Sequence, residues 1–162
     1  MTEKEMFEQT WEKEFETTLK VLNAYPGNKM DFKPHERSMS AKELAWQFVQ
    51  QQMAIEQTLD GTMTMPPNFP PVPDKWEEIL ATYQKLHPNL VKKLQKTPEA
   101  DLFKNMPMML GPGNMGEMPK LQFLWLMLSD LIHHRGQCSV YLRMAGGKVP
   151  SIYGPSADEP WM

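Results

Sequence analysis

The sequence predicts an all-α protein, a four-helix bundle with long loops and a C-terminal tail, folded as a single domain over residues 1–162. The 15 prolines leave four windows free, 1–25, 35–65, 74–87 and 120–149. These windows permit long helices, because a proline inside a helix costs about 3 kcal/mol. Apolar residues recur in each window every three or four positions, the period of a helix with one buried face. No segment alternates with period two over a useful length, so we expect no sheet.

The first window predicts one amphipathic helix. Its apolar stripe consists of Phe7, Trp11, Phe15, Leu19 and Leu22. The charged residues Glu12, Lys13, Glu14 and Glu16 are expected to form a solvated face.

The second window contains signals for both ends of a helix. Ser40 or Ser38 is suited to cap the start, and Gly61 is suited to end it. Between them one face carries Ala41, Leu44, Ala45, Phe48, Ile55 and Leu59.

The third window predicts a helix that starts at Asp74, with Glu77 completing a carboxylate version of the capping box. Its apolar stripe continues to Leu94, so we expect the helix to pass Pro88 with a kink. His35 and His87 lie next to prolines and are expected at the surface or at a helix boundary.

The fourth window contains Phe123 to Leu128, which is apolar all round and predicts the most buried helix. Two long connections, 59–73 and 98–119, exceed the length of minimal bundle turns. The second is rich in methionine, and we expect it to form an adaptable cover over one end of the bundle.

Composition excludes several classes of function. The formal charge of −3 argues against nucleic-acid binding, which needs a basic face. The single cysteine, Cys138, excludes an internal disulfide and predicts a buried, inert thiol. No apolar run is long enough to cross a bilayer, and the N-terminus lacks the features of a signal peptide, so we expect a cytoplasmic protein without a membrane partner.

The candidate chemistry lies in the last helix. Asp130 and His134 are four residues apart and share a face that continues from Phe123 and Met127. This spacing suits two ligands of one metal ion, and equally a hydrogen-bonded ion pair. The best third ligand on another helix is Gln47, while His133 points to the flank of its own helix.

Several segments resemble the DinB/YfiT-like family. The run Asp130-Leu-Ile-His-His-Arg-Gly-Gln137 and the later run Val149-Pro-Ser-Ile-Tyr-Gly-Pro resemble its C-terminal signature. Ser40-Ala-Lys-Glu-Leu-Ala-Trp-Gln47 resembles its second-helix motif. The resemblance covers nearly the whole chain and implies a four-helix bundle, commonly a homodimer, with a divalent metal held by three histidines.

Transferred to this chain, the implied metal ligands are Gln47, Asp130 and His134, of which only one is histidine. Zinc and nickel prefer imidazole, so this set lowers affinity and moves preference toward harder ions such as manganese or magnesium. The resemblance implies a divalent metal, with Zn, Ni, Mn or Fe as candidates, and this ligand set predicts low occupancy.

The resemblance leaves two functional hypotheses. The first is a metal-dependent hydrolase or thiol S-transferase that acts on a small molecule, with His133 and Arg135 orienting an anionic substrate. Arg135 is equally suited to be a structural ion-pair partner. The alternative is a non-catalytic, dimeric ligand-binding or scaffold bundle that has lost the metal.

Overall fold

The computed structural model describes residues 1–162 and contains the four long helices that the sequence predicts. The helices are α1 (Glu3–Ala24), α2 (Ala41–Asp60), α3 (Trp76–Lys96), a single turn α4 (Glu99–Leu102) and α5 (Lys120–Met144). Two strands, β1 (Asn105–Gly111) and β2 (Asn114–Pro119), precede α5. None of the helices combines the length and the apolar content that a membrane span requires.

The long helices enclose one hydrophobic core. Helix α2 packs against α3 and α5, and α1 packs against the same two helices on the opposite side. Each helix supplies apolar residues at helical spacing, as in the buried series Leu121, Leu124, Leu128 and Leu131 of α5. This arrangement confirms the predicted all-α bundle.

The helix ends follow local capping chemistry. Ser40 is the N-cap of α2, where its hydroxyl accepts from the Glu43 N–H and the Glu43 carboxylate accepts from the Ser40 N–H. Gly61 ends α2 with a φ of 70°, a conformation that favours glycine. The predicted Asp74 cap of α3 is wrong, because α3 begins after Lys75 without a side-chain cap and Asp74 lies 3.6 Å from the Lys42 ammonium. Pro88 lies inside α3, as predicted.

The expectation of no sheet is wrong in one place. Strands β1 and β2 form an antiparallel hairpin that pairs Met106 with Met118, with an irregularity in register between Met109 and Gly111. Glycine, proline and asparagine are depleted in strands, and the segment lacks the β-branched residues and aromatics that mark them, which is why its composition does not reveal the strands. Within β1, Met106 is buried and Met108 is half-buried, whereas the intervening Pro107 is exposed.

Two side chains are buried against expectation: His87, expected at the surface or at a helix boundary, and Glu14, expected on a solvated face. His87 stacks on Phe15 with ring centroids 3.5 Å apart, and its Nε2 lies 2.9 Å from a carboxylate oxygen of Glu12. Glu14 does not belong to a solvated face, because it is buried against Arg135 between α1 and α5.

Candidate ligand pocket

A cavity of about 310 Å³ lies between α2 and α5. The segment 63–69 and strand β1 contribute the rest of its wall, so both long connections line it. Its apolar lining consists of Ala54, Met63, Met65, Pro66, Pro67, Phe69, Met108, Met109, Phe123 and Met127. Its polar lining is limited to Gln47, Gln50, Gln51 and Asp130.

A tryptophan of α2 forms a hydrogen bond with the proline-rich segment that contributes to the cavity wall. Trp46 is buried, and its indole N–H donates to the backbone oxygen of Pro70 at 3.0 Å. The proline-rich chain is thus held beside the helix that supplies Gln47, Gln50 and Gln51.

Asp130 is the centre of the polar end. The Gln51 amide donates to its Oδ2 at 2.6 Å, and the same oxygen lies 3.2 Å from His134 Nδ1. His134 Nδ1 also lies 2.9 Å from the backbone oxygen of Asp130. A carbonyl oxygen only accepts hydrogen bonds, so His134 Nδ1 carries a proton. The other ring nitrogen, Nε2, has no hydrogen-bond partner in the protein.

The two ionisable groups shift one another's pKa in opposite directions. Burial raises the pKa of the Asp130 carboxyl, but hydrogen bonds from His134 and Gln51 and the charges of His134 and His133 outweigh it, so this pKa lies below its usual value. The hydrogen bond to Asp130 raises the pKa of His134 against the opposing effect of burial. The pair therefore favours its charged form.

The structure brings Gln47 and Asp130 to the same cavity, but the amide in contact with Asp130 belongs to Gln51. Sequence reasoning did not identify Gln51. Helix spacing could have identified Gln51, because it lies four residues after Gln47 on α2 and residues four apart share a helix face. Asp130 and His134 have the same spacing on α5.

Arg135 lies outside the cavity, in the core. Its Nη1 lies 2.5 Å from a carboxylate oxygen of Glu14, and its Nη2 donates to the hydroxyl of Tyr153 in the tail. The Arg135 side chain is only 1% exposed. These contacts are those of a structural ion-pair partner, the alternative role that the sequence leaves open for Arg135.

His133 also lies outside the cavity lining. It is exposed on α5, where its Nε2 lies 2.9 Å from the side-chain amide of Gln137. This position on the flank of the helix agrees with its sequence spacing and gives it no contact with the cavity.

The donor set does not fit a metal centre with three histidines. No three His, Cys, Asp or Glu side chains converge in the structure. His134 is the single imidazole at the site, and its Nδ1 is occupied by hydrogen bonding. The remaining donors are the second nitrogen of His134, the Asp130 carboxylate and glutamine amide oxygens, a weaker set that suits harder ions.

Comparisons with known proteins agree with the architecture. The model of the DinB family matches residues 1–161. The uncharacterized protein YrdA of Bacillus subtilis strain 168 is 28% identical over 153 residues, which covers 94% of this chain and 89% of YrdA.

Two solved structures have the same fold. A DinB-like protein from Bacillus cereus ATCC 10987 superposes with a TM-score of 0.76 at 27% identity, over 92% of this chain and 97% of its own. The DinB-like protein YjoA from Bacillus subtilis superposes with a TM-score of 0.70 at 19% identity, over 90% and 96% of the two chains. The chain belongs to the DinB family.

Proposed function

We propose that this chain is a small-molecule-binding bundle whose pocket does not depend on a three-histidine metal. The observation that carries the proposal is the cavity of about 310 Å³ with apolar walls and polar groups at one end. Ligand sites combine such walls with a few placed polar groups that fix orientation. Its volume lies at the lower end of the range for ligand pockets, so the ligand is small.

The methionines give the walls their adaptability. Five of the lining residues are methionine, from three separate segments: Met63, Met65, Met108, Met109 and Met127. Unbranched thioether side chains change rotamer at low cost and adjust to the shape of a ligand. The polar end is more rigid, because Gln51 and His134 hold the Asp130 carboxylate from two sides.

Binding of a neutral aromatic probe tests the proposal. Benzyl alcohol, titrated calorimetrically, is expected to bind the native chain and to raise its melting temperature as its concentration increases. Met127→Phe, which adds volume to the cavity wall, is expected to weaken this binding. Met144→Phe is the matched control, because Met144 lies on the same helix and is 55% exposed. Equal binding by all three proteins, or no binding by any of them, contradicts the proposal.

The second candidate is the metal-dependent hydrolase or thiol S-transferase. It is supported by the shared cavity of Gln47 and Asp130 and by the contact between Asp130 and His134. Melting temperature and metal content would be measured without a His-tag after addition of Zn, Ni, Mn, Fe or Mg. A stabilisation by one ion that Asp130→Ala abolishes supports this candidate, and no shift with any ion contradicts it.

A further inference from the structure

The polar end of the pocket offers hydrogen-bond acceptors that the protein leaves unused. Gln51 is only 4% exposed, and its Oε1 has no hydrogen-bond partner. Its nitrogen donates to the Asp130 carboxylate and both residues line the cavity, so the oxygen is the atom of this amide that is left without a partner there. A buried acceptor without a partner costs free energy, and a bound molecule with an N–H or O–H group removes that cost.

Asp130 supplies a second unused acceptor. The contacts from Gln51 and His134 both involve Oδ2, which leaves Oδ1 without a protein donor. The Asp130 side chain is 38% exposed, so a molecule in the cavity can reach it. Two free acceptors that belong to neighbouring side chains call for a ligand group with several donors.

The cavity lining is negatively charged, which favours a cationic ligand. Asp130 is the one ionisable residue among the fourteen that line the cavity, and neither lysine nor arginine is among them. The rest of the lining contains thioether sulfurs and the aromatic residues Phe69 and Phe123, and aromatic rings attract cations. His134 approaches Asp130 through Oδ2, so even as an imidazolium it leaves Oδ1 free to accept.

We propose that the pocket binds a small organic cation, a primary or secondary ammonium on an apolar body, which donates to Asp130 Oδ1 and Gln51 Oε1. An ammonium carries several donors and no acceptor, which matches the unused groups. The cavity of about 310 Å³ holds roughly ten non-hydrogen atoms, if each takes about the volume of a water molecule. This inference rests on the proposed small-molecule function and specifies the class of ligand.

Three probes of one shape and different charge test the inference on the unsubstituted protein. Benzylammonium, benzyl alcohol and benzoate would be titrated calorimetrically at the same pH and ionic strength. We expect benzylammonium to bind at least about tenfold more tightly than benzyl alcohol, and benzoate to bind most weakly, because charge-assisted hydrogen bonds exceed neutral ones. Equal affinities for the ammonium and the alcohol, or tightest binding of benzoate, overturn the inference.

Matched variants identify the residues that cause the preference for benzylammonium over benzyl alcohol. Asp130→Asn is expected to bring the ammonium affinity to within about threefold of the alcohol affinity, and Gln51→Leu to weaken ammonium binding more than alcohol binding. Asp74→Asn removes one negative charge from an exposed side chain outside the cavity and is expected to keep the full preference. An equal loss of preference in Asp74→Asn overturns the inference, since the effect would then come from net charge.

The outcomes separate the two proposals. Binding of benzyl alcohol without preference for benzylammonium leaves the pocket function intact and overturns the cation assignment. Failure of all three probes to bind contradicts both. Displacement of benzylammonium by micromolar Mn²⁺ reassigns the acceptors of Asp130 and Gln51 to a metal ion and also overturns the inference.

Discussion

At the scale of single residues, Arg135 is a buried charge with polar contacts to two segments. Its guanidinium contacts the Glu14 carboxylate, the Glu14 backbone oxygen and the Thr18 hydroxyl, all on α1. Tyr153 adds a contact from the tail, since its hydroxyl donates to Glu14 at 2.7 Å. A buried charge of this kind is tolerated because all its partners are in place.

Removal of one member of the Glu14–Arg135 ion pair is expected to lower the free energy of unfolding more than removal of both. Arg135→Met leaves the Glu14 carboxylate buried without a cation and is expected to lower the free energy of unfolding by about 3–5 kcal/mol. The double variant Glu14→Leu with Arg135→Met removes both charges, and its free energy of unfolding is expected to fall markedly less. Urea denaturation of Arg135→Met, Glu14→Leu and the double variant measures the difference, and a double variant that loses the sum of the two single effects contradicts the expectation.

The partner of Arg135 lies beyond the reach of sequence reasoning. Glu14 stands among Glu12, Lys13 and Glu16, and although its spacing from Phe7 and Trp11 places it on the apolar stripe, its charge favours the solvated face and nothing in the sequence names its partner. The pairing joins residues more than a hundred positions apart and depends on how α1 rotates against α5. By contrast, the contact between Asp130 and His134 follows from helix geometry alone, and so the sequence predicts it.

The opposite pKa shifts of Asp130 and His134 define a pH window for stability. The contribution of Asp130, with its lowered pKa, is present above about pH 4 and is lost as the pH falls through the folded value. The contribution of His134, with its raised pKa, is present below about pH 6.5 and is lost as the pH rises through the folded value. The stability difference between the native chain and Asp130→Asn is therefore expected to peak between roughly pH 4 and pH 6.5.

Denaturation curves across this pH range measure the difference. An NMR titration of His134 supplies an independent check, because Asp130→Asn is expected to lower the pKa of His134. An unchanged His134 pKa in this variant contradicts the assigned cause of the shift.

At the scale of secondary structure, the accuracy of prediction depends on whether an element is determined locally. Ser40, one of the two candidate caps, is the N-cap of α2 and forms a capping box with Glu43, three residues later. Asp74 has the same local potential, but Lys42 on another segment attracts its carboxylate, as it does that of Asp31. The hairpin depends on pairing between two methionine-rich strands, which no period in either strand reveals.

Two glycine substitutions test the helix assignments in opposite directions. Gly61→Ala places a side chain at a φ of 70° with no atom near the new methyl group, so backbone strain alone is expected to destabilise the fold by about 1 kcal/mol. Gly136→Ala lies inside α5, exposed and also without steric conflict, and is expected to stabilise it by about 0.5–1 kcal/mol. Chemical denaturation under identical conditions gives both values.

Each glycine variant is the control for the other, because both add one methyl group in open space. A change of the same sign in both proteins would show that the methyl group itself, rather than backbone conformation, determines the effect.

At the scale of the whole molecule, periodicity predicts the bundle but not the pocket. The helices need only their own apolar stripes to assemble, so four windows and their spacing suffice. The cavity lining comes from α2, the segment 63–69, β1 and α5, whose meeting depends on loop conformation. Helix spacing therefore leads to Asp130 and His134, and from Gln47 to Gln51, whereas the meeting of methionines from three segments in one wall depends on loop conformation.

The C-terminal tail is attached to the bundle by polar contacts, and this predicts that it opens as a local unit. Asp158 accepts from the Val149 N–H at 2.8 Å and forms an ion pair with Arg143, while Tyr153 contacts Glu14. Few of its residues are buried, and segments with this character unfold locally without the core. In Tyr153→Phe we expect faster hydrogen exchange at the Val149 amide and unchanged exchange at Leu131 in the core of α5.

Trp161→Phe provides the control for this measurement. Trp161 is 67% exposed and donates only to the Ser151 hydroxyl, so its loss is expected to leave exchange at Val149 nearly unchanged. Tyr153→Phe removes the tail's hydroxyl from the buried pair but leaves Arg135 bound to Glu14, so the core keeps its charge compensation. If exchange at Val149 and Leu131 accelerates by the same factor, the tail and the bundle unfold as one unit and Tyr153 contributes to global stability.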